Sequence, residues 1–498
     1  IKTNSKASKT LIKLNAELSQ YNDKELKLSQ LSNSDERPFF LWHLFFQEVF
    51  DKGGFDIVIG NPPYIKEATS KDVFDGFRNT KYYQGKMDLW YGFACVGIDF
   101  LKKDNGVLAY IATNNWISND GASILRNKVL NETSLLKFVD FNDFKVFKTA
   151  GIQTMIMIVK NIVTGIHKPE IRKLLNPKIS DNKINRFLNT SSSSLDYDIY
   201  YSRLVKEEND NTTISLLSEN IFSIISKIKI NSNFNLNKDE VLSGIDIPQD
   251  FLSNKAKEKL GSDFEKGMGV FVLNESEIKK MNLKSSEREL LKPFYTSKEI
   301  HRYFADIKNE FWIIYTDSSF KNPNSLNNYP NIKSHLDKFR EIITSENKPY
   351  GLNRARKDGI SFVDEKILVK RKCTNKPVFS YTDFDTYFNR TFMQIITSRI
   401  DNKYLVGILN SKVIQFWLKN KGKMQGTNYQ LDKTPLMNIP LIYDELIENR
   451  IIEIVNNLIL SYSNKFDFNA YEDELNNMVY KLYDLSDQEI NIIKNSLL

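Results

Sequence analysis

The 498-residue chain has little of what staples small proteins or anchors them in membranes. Its two cysteines, Cys95 and Cys373, lie far apart with no neighbouring His or Cys. This excludes a disulfide framework or a zinc site of ordinary spacing and fits a reducing cytoplasm. No apolar run reaches the roughly 18 residues of a transmembrane helix, and no signal-peptide pattern opens the chain. No internal repeat is visible. By contrast, 33 Phe, 23 Tyr and a hydrophobic fraction of 41% supply ample core material. Wholesale disorder is thereby excluded, and the length calls for two or three domains.

The net charge of +7 is unevenly placed. Between Lys284 and Lys372, 18 Lys/Arg stand against 12 Asp/Glu. A localised basic excess is the footprint of a phosphate-backbone binder, although a solvated charged face gives the same signal.

Along the chain, an aromatic segment (PFFLWHLFFQEVFDKGG) precedes the apolar strand FDIVIG. A helix is expected at Asp88–Lys102, followed by strand Gly106–Thr113 and a helix over Gly121–Asn131. Strands Leu135–Phe141 and Thr154–Lys160 then pair antiparallel, because no crossover helix separates them. Strand–helix–strand–helix–strand is a doubly wound α/β pattern, and unbroken β-branched runs suit strands covered on both faces. The expected domains are an α/β unit over 1–165, a helical connector over 166–235, an irregular α+β module over 236–440, and helices over 441–498. Within the module, Val406–Asn420 reads as one core helix; in the closing helices, Ser486 with Glu489 forms a capping-box signal.

The run FDIVIG ends at Asn61-Pro62-Pro63-Tyr64, where open α/β sheets place their ligands. Proline enforces an extended turn and removes backbone donors, which leaves local carbonyls as acceptors. Asn61 adds a side-chain carbonyl. Two acceptors on one exocyclic amino group would hold it and draw its lone pair out of conjugation, ready to attack a methyl sulfonium. Positioning and dipoles suffice for that; no strong base is needed. Tyr64 offers a stacking face for a base taken out of the duplex. A plain Pro-Pro turn is the bland alternative, disfavoured by the Gly-Gly-Phe-Asp before it and the Ile after.

FDIVIGNPPYI resembles motif IV of the S-adenosylmethionine-dependent, amino-methylating DNA methyltransferases. The flanking FFLWHLFFQEVFDKGGFD and DLWYGFACVGIDFLKKDNGVLAYIATNNWI resemble the subgroup of type IIG restriction–modification enzymes and related phage-defence methylases. The resemblance implies a Rossmann-like catalytic domain, S-adenosylmethionine as cofactor and double-stranded DNA as partner. It makes Asn61, Pro62, Pro63 and Tyr64 catalytic and, through FKVFKTAGIQTMIMIVK, gives Phe147 the opposite face of the flipped base, with Phe144 as the fallback. Asn at position 61 favours adenine-N6 over cytosine-N4. Protein-glutamine and ribosomal-RNA guanine methyltransferases share the tetrapeptide but rarely carry a further long module.

Residues 236–498 are similar to that family's target-recognition domain, in VLSGIDIPQDF, FVLNESE, ERELLKPFYTSKEIHRY, DEKILVKRK, KYLVGILNSKVIQFW and YKLYDLSDQEI. Catalytic half before recognition half is the gamma arrangement. Candidate DNA contacts are Arg354, Arg356, Lys357, Lys370, Arg371 and Lys372, with phosphate contact expected more than base readout.

The family's Gly-rich cofactor turn is not found before Asn61. Gly267 and Gly269 follow a charged segment rather than a strand. FDIVIG would then be an exposed sheet edge with apolar faces, which soluble proteins avoid, so the chain is expected to be the C-terminal portion, or one half, of a larger enzyme. The main cofactor motif would then lie upstream, together with any Mg2+-dependent nuclease. Asp364-Glu365-Lys366 is too common a cluster to mark a nuclease here. The competing reading is a non-catalytic DNA-binding specificity module.

Overall fold

The computed structural model describes residues 5–32, 40–147, 152–205, 214–343, 347, 349–356, 362–425, 428–464 and 467–497. The chain divides into two compact units: residues 1–113, 121–137 and 156–165 in the first, and 114–120, 138–155 and 166–498 in the second.

The first unit is built on β1 (Ile57–Gly60), α1 (Leu89–Asp99), β2 (Val107–Thr113) and α2 (Ser123–Glu132). β1 and β2 are parallel, with Ile57 opposite Val107 and Gly60 opposite Tyr110. α1 forms because eleven consecutive residues without proline carry Trp90, Tyr91, Ala94, Cys95 and Ile98, all buried. Its Gly97 lets the helix approach the sheet: a Cβ there would meet Leu108 Cδ1 at 2.8 Å and the Tyr110 hydroxyl at 3.0 Å. Lys128 on α2 reaches back to Asp99 at 2.7 Å.

The remaining strands of the sheet are β3 (Ser134–Asp140), β4 (Thr154–Lys160), β5 (Glu170–Leu174) and β6 (Tyr197–Tyr201), and the sheet order is β1-β2-β4-β3-β5-β6. The first four fall within a residue or two of expectation. The last two arise from the stretch expected as a helical connector. There, Ile171 and Leu174 bury their side chains and pair opposite Tyr200 and Tyr197, and the sheet gains a hairpin. β1 is not covered on both faces but is the exposed apolar edge expected of this chain. It is an edge strand, and Ile57 and Ile59 are 68% and 80% exposed.

The second unit holds α3 (Glu219–Asn231) and a five-stranded sheet made of β7 (Val241–Ser243), β8 (Tyr303–Phe304), β9 (Lys366–Lys370), β10 (Phe379–Thr382) and β11 (Phe392–Ile395), ordered β8-β10-β9-β11-β7. Alternation along the strands sends side chains into two cores. Ile367, Val369, Met393 and Ile395 join α3 and the C-terminal helices, whereas Leu368 and Phe392 join a core around the antiparallel strands Val272–Asn274, Phe311–Ile314 and Leu291–Phe294.

The expected single helix over Val406–Asn420 is two, α4 (Asn402–Leu409) and α5 (Lys412–Lys421). Asn410 leaves the helix to bond the Phe379 carbonyl at 2.8 Å, and the Ser411 hydroxyl caps the new helix at the Ile414 N–H. α6 (Glu445–Asn464), α7 (Asn469–Leu482) and α8 (Asp487–Ser496) complete the unit, and the Ser486/Glu489 capping box is present. No described helix is long and apolar enough to cross a membrane.

Candidate active site and DNA interface

β1 delivers Asn61 to the carboxyl end of the parallel pair. Gly60 is closely covered: a Cβ would stand 3.3 Å from the Tyr110 ring. Pro62 is buried, whereas Asn61 and Pro63 are exposed. Tyr64 folds back so that its hydroxyl lies 2.6 Å from Asn61 Oδ1 and 2.9 Å from the Ile111 carbonyl oxygen on β2. Burial pushes the phenol pKa up to about 12, so it remains a hydrogen-bond donor at neutral pH.

The chain leaving the turn is tied down as firmly as the chain entering it. The Leu89 N–H donates to the Ile65 carbonyl at 2.8 Å, and the Glu67 N–H to the Met87 carbonyl at 3.0 Å. This short bridge fastens the loop to the start of α1. Trp90 Nε1 donates to Thr113 Oγ1 at 2.9 Å, which fixes that helix end to the end of β2. Asp88 at the helix start is buried, with Oδ1 unpartnered among the described residues. Burial raises its pKa against the pull of Lys66. Sequence reasoning passed over Asp88, whose only signal was its place before an apolar helix.

In the second unit, Phe147 and Phe144 are both half-buried on the loop after β3. Phe144 has its ring 6.4 Å from that of Phe141, which packs in turn on Phe187. The loop is held by Gln153 Nε2 donating to Asp143 at 2.6 Å and by the Asn142 N–H donating to Asp140 at 2.9 Å.

The six candidate DNA contacts separate into distinct environments. Lys357 lies outside the described residues. Arg354 is exposed, its backbone paired with Asp246. Arg356 takes a left-handed backbone (φ 70°) and donates through Nη2 to the Gly244 carbonyl at 3.2 Å. Burial and the neighbouring Arg354 and Arg390 charges lower its pKa, although Asp246 opposes the shift. Lys370, Arg371 and Lys372 line a cleft of 370 Å³ together with Arg390, Gln430 and Asp432. Arg371 is engaged there by Asp432, at 2.9 Å from Nε, and by the Arg390 carbonyl at 2.7 Å. Arg390 escaped the sequence reading because it has no basic neighbour in sequence; it pairs with Asp246 at 2.9 Å and is largely exposed.

Gly267 and Gly269 close a turn beside Leu252, bridged to Phe251, and lead into the strand Val272–Asn274 rather than into the helix that a cofactor turn requires. Lys366 is buried and donates to the Asp364 and Phe384 carbonyls at 2.6 and 2.9 Å; burial lowers its pKa to about 8. No group of three or more His, Cys, Asp or Glu side chains that could hold a metal occurs among the described residues.

Residues 3–147 match the family model of the Eco57I restriction-modification methylase, and residues 292–441 that of the TaqI-like C-terminal specificity domain. The type II methyltransferase M.HindII of Haemophilus influenzae is 24% identical over 465 residues, covering 85% of this chain and 82% of that protein. M.XhoI of Xanthomonas vasicola is 33% identical over 95 residues, or 19% of this chain and 17% of that protein. Among solved structures, the type IIL restriction-modification enzyme MmeI in complex with DNA superposes with a TM-score of 0.57 at 14% identity, over 92% of this chain. The chain spans 58% of the length of that MmeI chain, and the likeness establishes the α/β fold. Its N-terminal region is thus similar to a restriction–modification methylase and its C-terminal region to a TaqI-like specificity domain, in that order.

Proposed function

We propose that this protein methylates the N6 amino group of an adenine flipped out of duplex DNA, with S-adenosylmethionine as methyl donor, within a type II restriction–modification or related phage-defence system. The observation that carries the reading is the Asn61–Tyr64 turn at the carboxyl end of β1, hydrogen-bonded to β2 and tied to the start of α1.

In this reading Asn61 Oδ1 and a proline carbonyl of the turn accept the two amino hydrogens of the base. Withdrawn from the ring, the nitrogen lone pair becomes the nucleophile. The Tyr64 ring stacks on the base and offsets the cost of unstacking it. Phe147 covers the other face. S-adenosylmethionine supplies an electrophilic methyl group when bound. Among the described residues no Gly-rich turn leads from a strand of this sheet into a helix. The groups around Asn61 fit the base rather than the cofactor. The 236–440 region serves as the reader of sequence, with Arg354, Lys370, Lys372 and Arg390 meeting the phosphates. Adenine is preferred over cytosine because position 61 is Asn.

The test is expression of the full protein in a host lacking adenine methylation, with modified bases read by single-molecule sequencing. Asn61→Ala should lower N6-methyladenine at the target by about 100-fold or more, the size of losing one preorganised dipole at a reacting group. Modification at the wild-type level would leave only a DNA-binding module. N4-methylcytosine instead would keep the methyl transfer and overturn the choice of base.

A further inference from the structure

Two neighbours of the Tyr64 hydroxyl, Asn61 Oδ1 at 2.6 Å and the Ile111 carbonyl at 2.9 Å, are acceptors. A phenol has one hydrogen to give. Shared between two oxygens, it satisfies neither fully. A half-turn of the Asn61 carboxamide exchanges oxygen for nitrogen in nearly the same volume. Nδ2 then donates to Tyr64 Oη, and the hydroxyl hydrogen goes wholly to Ile111. Each contact has its own hydrogen, and Oδ1 turns away from the phenol.

From this geometry we infer that the Tyr64 hydroxyl, anchored on the Ile111 carbonyl, is a positioning group that sets the Asn61 carboxamide with Oδ1 toward the target amino group. The inference rests on the methyl-transfer reading above. With the opposite orientation an N–H of Asn61 would confront an N–H of the base, and the pull on the lone pair would be lost. Ile111 is a rigid anchor because it sits in β2, one residue past the Gly60–Tyr110 pair. The phenol has the acidity of a persistent donor. Tyr64 thus acts twice, with its ring on the base and its hydroxyl on the residue that activates the base.

The experiment uses the full protein, with its target site first read from modified genomic DNA. Tyr64→Phe keeps the ring and removes the hydroxyl. It should lower kcat about tenfold, the scale of an unsatisfied hydrogen-bonding group, while KM for DNA and the fluorescence of a 2-aminopurine at the target position stay unchanged. Unchanged kcat, or a parallel loss of the flipped-base fluorescence, would overturn the inference, the latter by assigning the hydroxyl to stacking. A second arm removes the need for orientation, because Asn61→Asp presents two equivalent oxygens. In that background Tyr64→Phe should cost less than about twofold, which gives a coupled cycle. Equal losses in both backgrounds would also overturn it. A wild-type protein that binds DNA yet methylates no base would instead bring down the methyl-transfer reading itself.

Discussion

Replacing Lys370, Lys372 and Arg390 together by Gln tests whether the 370 Å³ cleft meets the DNA backbone. Each cation that neutralises a phosphate contributes about 0.9 to the slope of log affinity against log salt. Three lost contacts should flatten that slope by about 2.7, so that raising salt from 50 to 200 mM would cost the variant roughly 40-fold less affinity than the wild type. Stability should hardly change. Lys372 is exposed, Lys370 is half-buried, and the Arg390–Asp246 pair sits at a largely exposed side chain, where ion pairs contribute about 0–1 kcal/mol. Arg371→Gln is the internal control. Its guanidinium is spent on Asp432 and the Arg390 carbonyl, and its loss frees a carboxylate inside the cleft. It should weaken binding by repulsion, with a change in slope no larger than one contact. The assay is fluorescence anisotropy of a labelled duplex over a salt series, with thermal unfolding run in parallel. A triple variant that keeps the wild-type slope would refute the argument.

Two further outcomes concern stability. Hydrogen bonds from Arg399 first, and then from Thr397 and the Asn237 N–H, hold the Glu240 carboxyl down at about 2, against the pull of burial. A depressed carboxylate stabilises the fold above its unfolded pKa and loses that contribution as pH falls. Roughly 2–3 kcal/mol should therefore drain away between about pH 4.5 and 2, after a discount for the partly exposed Arg399. The wild type should lose more stability than Glu240→Gln across that window in denaturant titrations, and parallel pH profiles would contradict the assignment. Gly97→Ala should destabilise the first unit by about 1–3 kcal/mol, since its methyl group would press Leu108 and the Tyr110 hydroxyl between α1 and β2; an unshifted melting temperature would show that the helix can retreat.

How legible each part was follows the sequence distance of its contacts. Strands such as Thr154–Lys160 declared themselves because their apolar content and length are local properties. The Asn61–Tyr64 turn was legible for a similar reason, since its central hydrogen bond spans three residues. The break at Asn410 was hidden, because what draws that side chain out of the helix is the Phe379 carbonyl 31 residues away. Likewise, nothing in the run Lys370-Arg371-Lys372 distinguishes the middle cation from its neighbours. Asp432, 61 residues on, makes that distinction.

The same contrast bears on what each region can tolerate. The Asn61–Tyr64 turn is specified by a few adjacent residues, a bond from the Tyr64 hydroxyl to the β2 backbone and backbone ties to the start of α1, so its geometry should survive wide change elsewhere in the chain. The cleft is assembled by pairs such as Arg390 with Asp246, 144 residues apart, and Arg371 with Asp432. A single substitution there alters charge, cleft shape and loop anchoring at once. If the proposed function holds, chemistry encoded locally stands beside DNA binding encoded through distant pairs, so the hold on DNA can change while the Asn61–Tyr64 turn stays intact. The asymmetry has a measurable form. Among active variants, substitutions at Asp432 or Asp246 should change how tightly DNA is held, and those at Tyr64 should change how fast methylation occurs.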